Sequence, residues 1–380
     1  MIIGFVGKPS SGKSSMFKAA TLIDVKITGI PFCTIAPNIG VGYVIIDCAC
    51  KEFGVSCKPK TGYCKNGKRF VPVRLVDVAG LVPGAHLGKG LGNKFLDDLR
   101  QASALIHIVD ASGTRDAEGK ITSGYDPEND IGFLEKEIDM WFADVIKKAS
   151  QKFEKSKDLV QTISEQLSGL EVSRKQVEET LNKASITNIE AFATALRKIS
   201  KPILIAANKI DLESAQKNFE QIKQKHENII PTSAESEIAL KKAAEKGLID
   251  YLPGDNFTIA DSTKLAGPQL NALEMIKREV IEKYGSTGVQ QCLNKAVFEL
   301  LNYIAVYPVE DENKFSDKQG NVLPDVHLVP NGTTALELAF RIHTDIGKKF
   351  VSAIDARTKR RLGKDYVLKN NDVIKIMTSK

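Results

Sequence analysis

Several features are missing from this 380-residue chain. No apolar run approaches the roughly 20 residues that a helix needs to cross a bilayer, so a helical membrane protein is excluded. The opening stretch MIIGFVGKPSSGKSS is apolar for only six positions and then turns to Gly and Ser. It does not read as a secretory leader, and the expected compartment is the cytoplasm, without membrane contact. Internal repeats and low-complexity tracts are also missing, which sets aside solenoids and long disordered linkers. Net charge is a mild +6. Proline is absent from Glu128 to Lys201, so nothing breaks a helix there.

What remains is ordinary globular composition, 42% hydrophobic and 26% charged, in a chain long enough for two or three domains. Strand-like apolar runs at Met1–Gly7, Val71–Val76, Ala104–Val109, Ile203–Ala206 and Ile229–Pro231 alternate with helical stretches, one of them opening at Ser14–Ala20. That rhythm predicts an α/β domain with a mostly parallel sheet covered by helices on both faces. The proline-free stretch interrupts it. Leu159, Ile163, Leu167 and Leu170 fall on one helix face, Ser173 and Gln176 form a capping box, and Phe192, Leu196 and Ile199 mark a further stripe. Some 65 residues exceed what a crossover connection needs, so an inserted helical hairpin or small bundle is expected. Helices are expected again at Ile238–Lys246, Gln269–Tyr284 and Val289–Ile304, and short strands and turns follow. The resulting division is 1–128 and 201–303 for the two parts of the α/β domain, 129–200 for the insertion and 304–380 for a C-terminal module.

Residues Gly7, Lys8, Pro9, Ser10, Ser11, Gly12, Lys13 and Ser14 fit G-x-x-x-x-G-K-[ST] between a strand and a helix, the context in which that pattern binds phosphate. Main-chain N–H groups through Ser15 point inward and the helix N-terminus adds positive potential. Side chains at Gly7 or Gly12 would obstruct close approach. Lys13 neutralises the β and γ phosphates and the Ser14 hydroxyl binds Mg²⁺. Asp77-Val78-Ala79-Gly80 ends a strand about sixty residues later. Its carboxylate suits Mg²⁺, held through water, and the Gly80 N–H suits a γ-phosphate. Asn208-Lys209-Ile210-Asp211 follows another strand. Asp211 can accept two hydrogen bonds from guanine N1–H and N2–H₂, a donor pair that adenine lacks, and a site left with an unpaired polar group rejects the analogue strongly. Lys209 would pack its stem on the base. Ser233, Ala234 and Glu235 follow one more strand, with the Ala234 N–H placed for guanine O6.

Together these motifs resemble a GTPase of the translation-factor-related class. Finer features narrow the likeness. PFCTIAPNIGVGYV resembles the first switch of the Obg and YchF branch, and DVAGLVPGAHLGKGLGNKFLDDLRQASALIHIVDAS resembles the YchF second switch and the strand after it. NGTTALELAFRIHTDIGKKF and ARTKRRLGKDYVLKNNDVIKI resemble a TGS domain, a small β-grasp fold. In that order they are similar to YchF-type GTPases over nearly the whole chain, most of all to the archaeal branch. The resemblance implies that Thr34 closes on Mg²⁺ and the γ-phosphate, sharing catalysis with Lys13 and Gly80. Leu81 stands where Ras-like proteins carry a water-orienting Gln, which implies slow intrinsic hydrolysis. Ser10 replaces an Asn that in related GTPases helps bind K⁺, which lowers the expected K⁺ dependence. Some YchF members prefer ATP after losing the NKxD pattern; this chain keeps it, so GTP is favoured. The expected activity is Mg²⁺-dependent hydrolysis of GTP to GDP and phosphate by a monomer. The alternatives are an ATP hydrolase of the same fold and a nucleotide-gated RNA-binding module with negligible turnover.

Two further clusters carry expectations. Between Arg341 and Lys380 lie eleven Lys or Arg against four Asp, densest at Arg357, Lys359, Arg360, Arg361 and Lys364, which points to a ribosome or structured RNA as partner. Cys48, Cys50, Cys57 and Cys64 could ligate Zn²⁺, but C-x-C followed by gaps of six and six is not a familiar zinc spacing. The reading therefore favours free thiols.

Overall fold

The computed structural model describes residues 1–21, 39–78, 98–153 and 156–379. Of these, residues 1–21, 39–42 and 73–296 form one compact unit, and residues 43–72 and 297–379 another.

In the first unit β1 (Ile2–Val6) runs through the glycine-rich loop into α1 (Lys13–Thr21). β2 (Ile39–Asp47), α2 (Ala49–Phe53), β3 (Tyr63–Lys65) and β4 (Lys68–Asp77) follow, with β2 and β4 passing from one unit into the other. After β5 (Ala104–Asp110) come α3 (Glu128–Phe153), α4 (Leu159–Gln166), α5 (Arg174–Leu181) and α6 (Ile189–Ser200), then β6 (Ile203–Asn208), α7 (Glu213–Lys223), β7 (Ile229–Pro231) and α8 (Ala234–Glu245). The sheet order is β2-β4-β1-β5-β6-β7, with β3 on β4. β1 is parallel to β4 and β5, β5 to β6, and β6 to β7. Every residue of β5 is buried, as a strand covered on both faces requires. That arrangement sets the carboxyl ends of β1, β5 and β6 at one edge, where ligands of open α/β sheets bind.

The helices between β5 and β6 are as the periodicity predicts. Ser173 and Gln176 form the capping box of α5, and Phe192 and Leu196 of α6 are buried. Leu134, Ile138, Trp141, Phe142 and Ile146 of α3 share one core with Val6, Val76 and Leu105 of the sheet. The inserted segment is thus packed as a continuation of the sheet's own core.

Farther on, a hairpin of β8 (Ile249–Tyr251) and β9 (Phe257–Ile259) has no counterpart in the sequence reading. α9 (Gly267–Ile276) continues through a π-turn, Lys277–Ile281, into α10 (Glu282–Tyr284), and α11 (Val289–Lys295) ends in the π-turn Ala296–Leu300. The helix expected to reach Ile304 stops there, because Asn302 takes a positive φ of 50° and Tyr303 begins a strand.

The second unit is a five-stranded sheet in the order β11-β10-β14-β12-β13. Its strands are β10 (Tyr303–Val309), β11 (His327–Pro330), β12 (Phe350–Asp355), β13 (Arg361–Leu362) and β14 (Val373–Thr378), with α12 (Ala335–Ile342) and α13 (Thr344–Lys348) between β11 and β12. β10 and β14 are parallel; the other pairs are antiparallel. Thr334 and Glu337 form a capping box on α12, whose Leu338 packs with Ile304, Val306 and Ala353. Cys48, Ala49 and Cys50 join the core of this unit beside Tyr307, Leu323 and Val373.

Candidate functional site

The loop between β1 and α1 is shaped by two glycines. Gly12 has a φ of +93°, and a Cβ there would lie 2.2 Å from Asn208 Nδ2. A Cβ on Gly7 would lie 2.6 Å from the Ile108 carbonyl oxygen. The first intrahelical bond runs from the Met16 N–H to the Gly12 carbonyl at 2.8 Å, which leaves the N–H groups of Lys13, Ser14 and Ser15 without intrahelical acceptors. Pro9, Ser10 and Ser14 are exposed. Lys13 Nζ contacts the Asp77 carboxylate at the end of β4.

Lys8 departs from the expectation for this loop. Its ammonium lies 2.8 Å from Asp130 Oδ2, with both side chains nearly buried, and donates to the Arg115 carbonyl at 2.9 Å. It also sits 4.0 Å from the centre of the Tyr125 ring. Only the Lys8 main chain therefore remains for a phosphate. Burial raises the Asp130 carboxyl above the ordinary range despite Lys8. A cavity of about 240 Å³ opens here, lined by Gly7, Lys8, His107, Tyr125, Asp130 and Phe133. Burial, with the Lys8 charge, pushes His107 down to about 3, so the imidazole is neutral at any physiological pH.

Asn208 ties the two ends of the site together. Its Nδ2 donates to the Ser11 carbonyl at 3.1 Å, and its Oδ1 accepts the Ala234 N–H at 3.1 Å, so that N–H is engaged by Asn208 rather than left for guanine O6 as the sequence predicts. Lys209 has a φ of +68° and places its Nζ 2.6 Å from Oδ2 of the fully buried Asp110. Asp211 Oδ1 accepts the Ser233 hydroxyl at 2.7 Å, while Oδ2 receives no hydrogen bond among the described residues. Ser233 also caps α8, accepting the Ser236 N–H, and the Ser233 N–H donates to the Thr287 carbonyl at 2.9 Å. Ser15 Oγ donates to Glu235 Oε1 at 2.7 Å. The predicted phosphate and base segments are therefore neighbours, joined by Asn208 and by the Ser15–Glu235 bond.

Sequence reasoning missed Asp110 and Asp130. Asp110 had a visible signal, as an acid closing an apolar strand; Asp130, in a helical turn, had none. Thr34 and Gly80, named as catalytic or metal-binding, lie outside the described residues, as does Leu81. Among the basic residues, Arg357 is engaged in a two-point ion pair with Glu52, at 2.6 and 2.7 Å. Lys359 Nζ donates to the Glu312 carbonyl and Arg361 Nε to Ser352 Oγ at 2.8 Å. Arg360 and Lys364 are exposed. The sulfurs of Cys48, Cys50, Cys57 and Cys64 all lie within 4.8 Å of one another. No described helix is long and apolar enough to cross a membrane.

Three family models match the chain: the 50S ribosome-binding GTPase over residues 2–143, the Obg-like GTPase YGR210-like, G4 motif-containing domain over residues 206–311, and the TGS domain over residues 318–378. An uncharacterised GTP-binding protein of Methanocaldococcus jannaschii is 50% identical over 391 residues, spanning 100% of this chain and 99% of its own. The crystal structure of a GTP-binding protein from Pyrococcus horikoshii OT3 aligns over 100% of both chains with a TM-score of 0.79 and 42% identity. The ribosome-binding ATPase YchF of Buchnera aphidicola is 26% identical over 98% of this chain and 97% of its own. With the P-loop, the NKID segment and the C-terminal grasp sheet in place, the chain belongs to the YchF-type Obg-like family of P-loop GTPases, those with a C-terminal TGS domain.

Proposed function

We propose that this chain binds GTP and hydrolyses it to GDP and phosphate in a Mg²⁺-dependent reaction, as a cytoplasmic monomer whose nucleotide state is read by a ribosome or structured RNA. The observation that carries this reading is the base pocket. Asp211 is oriented by the Ser233 hydroxyl and keeps lone pairs for two guanine donors, while Asn208 holds that pocket in register with the phosphate loop. A carboxylate so placed would be left unpaired beside adenine.

The donor set also fits a hard cation. The Ser14 hydroxyl makes no hydrogen bond among the described residues, and the Asp77 carboxylate sits at a strand end beside Lys13. Bound Mg²⁺ would supply charge neutralisation at the β and γ phosphates. The chain's own residues do the rest. Main-chain N–H groups of the loop bind the phosphates, and Lys13 leaves Asp77 for the phosphate oxygens, so that carboxylate would be free to help hold the cation. Thr34 and Gly80 close on the γ-phosphate. Leu81 cannot orient water, so turnover by the chain alone is slow.

Ribosome or RNA association draws support from the name of the Buchnera relative, a ribosome-binding ATPase, and from the exposed Arg360, Arg361 and Lys364. The same name carries a second reading, ATP as substrate. Displacement of a fluorescent GDP by unlabelled GTP and ATP separates the two. GTP should win by about 100-fold or more, and Asp211→Asn should erase the preference. Equal displacement by ATP, unaltered by Asp211→Asn, would make this an ATPase. Multiple-turnover phosphate release, with and without ribosomes, tests hydrolysis itself.

A further inference from the structure

We infer that Cys48, Cys50, Cys57 and Cys64 form a tetrathiolate site for one Zn²⁺ ion, a structural centre of the second unit separate from the nucleotide site. Cys48 immediately precedes α2 and Cys50 lies within it; Cys57 is in the following loop and Cys64 in β3. All four sulfurs fall within 4.8 Å of one another, with Cys48–Cys57 and Cys50–Cys64 both at 3.9 Å. A regular tetrahedron with Zn–S bonds of about 2.3 Å has S···S edges of about 3.8 Å. Disulfides need about 2.05 Å, so neither close pair is bonded. Thiols are weak hydrogen-bond donors, and two such contacts do not account for four sulfurs meeting at one point.

The unfamiliar spacing has a structural origin. Gly54 ends α2 in the left-handed region, φ +61°, and the Val55 N–H returns to the Cys50 carbonyl at 3.0 Å. The Lys58 and Lys60 N–H groups then bond the Val322 and Pro324 carbonyls, both at 2.8 Å, and the β3–β4 hairpin brings Cys64 back. Convergence is made by a one-turn helix and a hairpin rather than by a paired C-x-x-C knuckle.

A second observation concerns charge. Arg69, the cross-strand partner of Cys64, is 0% exposed. Its Nη1 and Nη2 donate to the Leu323 and Pro324 carbonyls at 3.1 and 3.0 Å, its Nε has no partner, and no carboxylate pairs with it among the described residues. A buried guanidinium without a counter-charge is costly. Four thiolates around one divalent cation carry a net double negative charge, and Arg69 stands on the strand paired with that of Cys64. The buried guanidinium and the partly buried cluster account for each other. Four sulfurs leave no open coordination position, as in structural zinc sites.

The test is metal analysis of the full chain, purified without chelator under reducing, anaerobic conditions. One zinc per chain is expected, released as four equivalents of a mercurial reagent are added, and lost to below a tenth in Cys57→Ser/Cys64→Ser. Cys292→Ser, at a buried position in α11, should keep the full zinc. If the double variant does not fold, Cys64→His should retain zinc, and metal-stripped wild type should take up Co²⁺ with the intense bands of tetrahedral thiolate coordination. GDP affinity should change less than threefold on stripping, so the result is independent of the nucleotide reading. Under a tenth of a zinc with no Co²⁺ uptake, iron in place of zinc, or two disulfides among the four cysteines would each overturn the assignment.

Discussion

Replacing Asn208 by Ala removes two buried hydrogen bonds with one substitution. The side chain is 3% exposed, and its amide spans from the Ser11 carbonyl to the Ala234 N–H, 3.1 Å each way. Truncation leaves a carbonyl and an N–H without partners, at about 1–3 kcal/mol each. The gap is large enough for a water to recover part of that loss. About 2 kcal/mol should remain as weakened nucleotide binding, or roughly 30-fold in Kd. Neither contact touches a base, so affinities for guanine and adenine nucleotides should fall by the same factor. Asp211→Asn should instead change only their ratio. Titration of fluorescent GDP and ADP into both variants measures this, with thermal unfolding as a check on folding. A Kd for Asn208→Ala within threefold of wild type, or a loss confined to guanine, would refute the clamp reasoning.

Gly12→Ala should lose GDP binding more severely than Asn208→Ala, because the added methyl would lie 2.2 Å from Asn208 Nδ2 at a φ of +93°; wild-type affinity in that variant would contradict the loop geometry. Lys201 is 1% exposed with its Nζ on the Arg100 and Ala102 carbonyls at 2.8 and 2.5 Å, and burial pushes it down from 10.5 to about 8. Between those values the unfolded chain holds a proton that the folded chain has released, so stability rises with pH across this window. Denaturant unfolding at pH 7.5 and 9.5 should show wild type gaining about 2 kcal/mol relative to Lys201→Met. Arg357 holds the Glu52 carboxyl below its usual range, so the pair stabilises at neutral pH and is lost on acidification through that lowered value. The pair is partly exposed, 25% and 53%, so Glu52→Gln should cost under about 1 kcal/mol at pH 7 and nothing measurable in strong acid. Reversing the charges of Arg360, Arg361 and Lys364 should weaken RNA association and lower the slope of log K against log salt by about 2–3; an unchanged slope would remove these residues from the interface.

What could be read in the sequence is what neighbouring residues encode. The phosphate loop, the NKID segment and the capping box at Ser173 are runs of a few residues whose geometry is set by adjacent φ/ψ and by the periods of strand and helix. The central strands and the helices after β5 were legible for the same reason. Side-chain partnerships across the fold were not. Lys8 stands in a phosphate-binding motif, yet its ammonium belongs to Asp130, more than a hundred residues away. Arg357 reads as free positive charge, and a carboxylate 305 positions earlier takes it. The helix expected to run to Ile304 is cut short because Tyr303–Val309 pairs with two other strands. The four cysteines looked mis-spaced until a short helix and a hairpin carried them to one point. Local pattern fixes which backbone shapes are possible; which charges and sulfurs meet depends on contacts that exist only once distant segments pack, because burial makes an unpaired polar group too costly to leave alone.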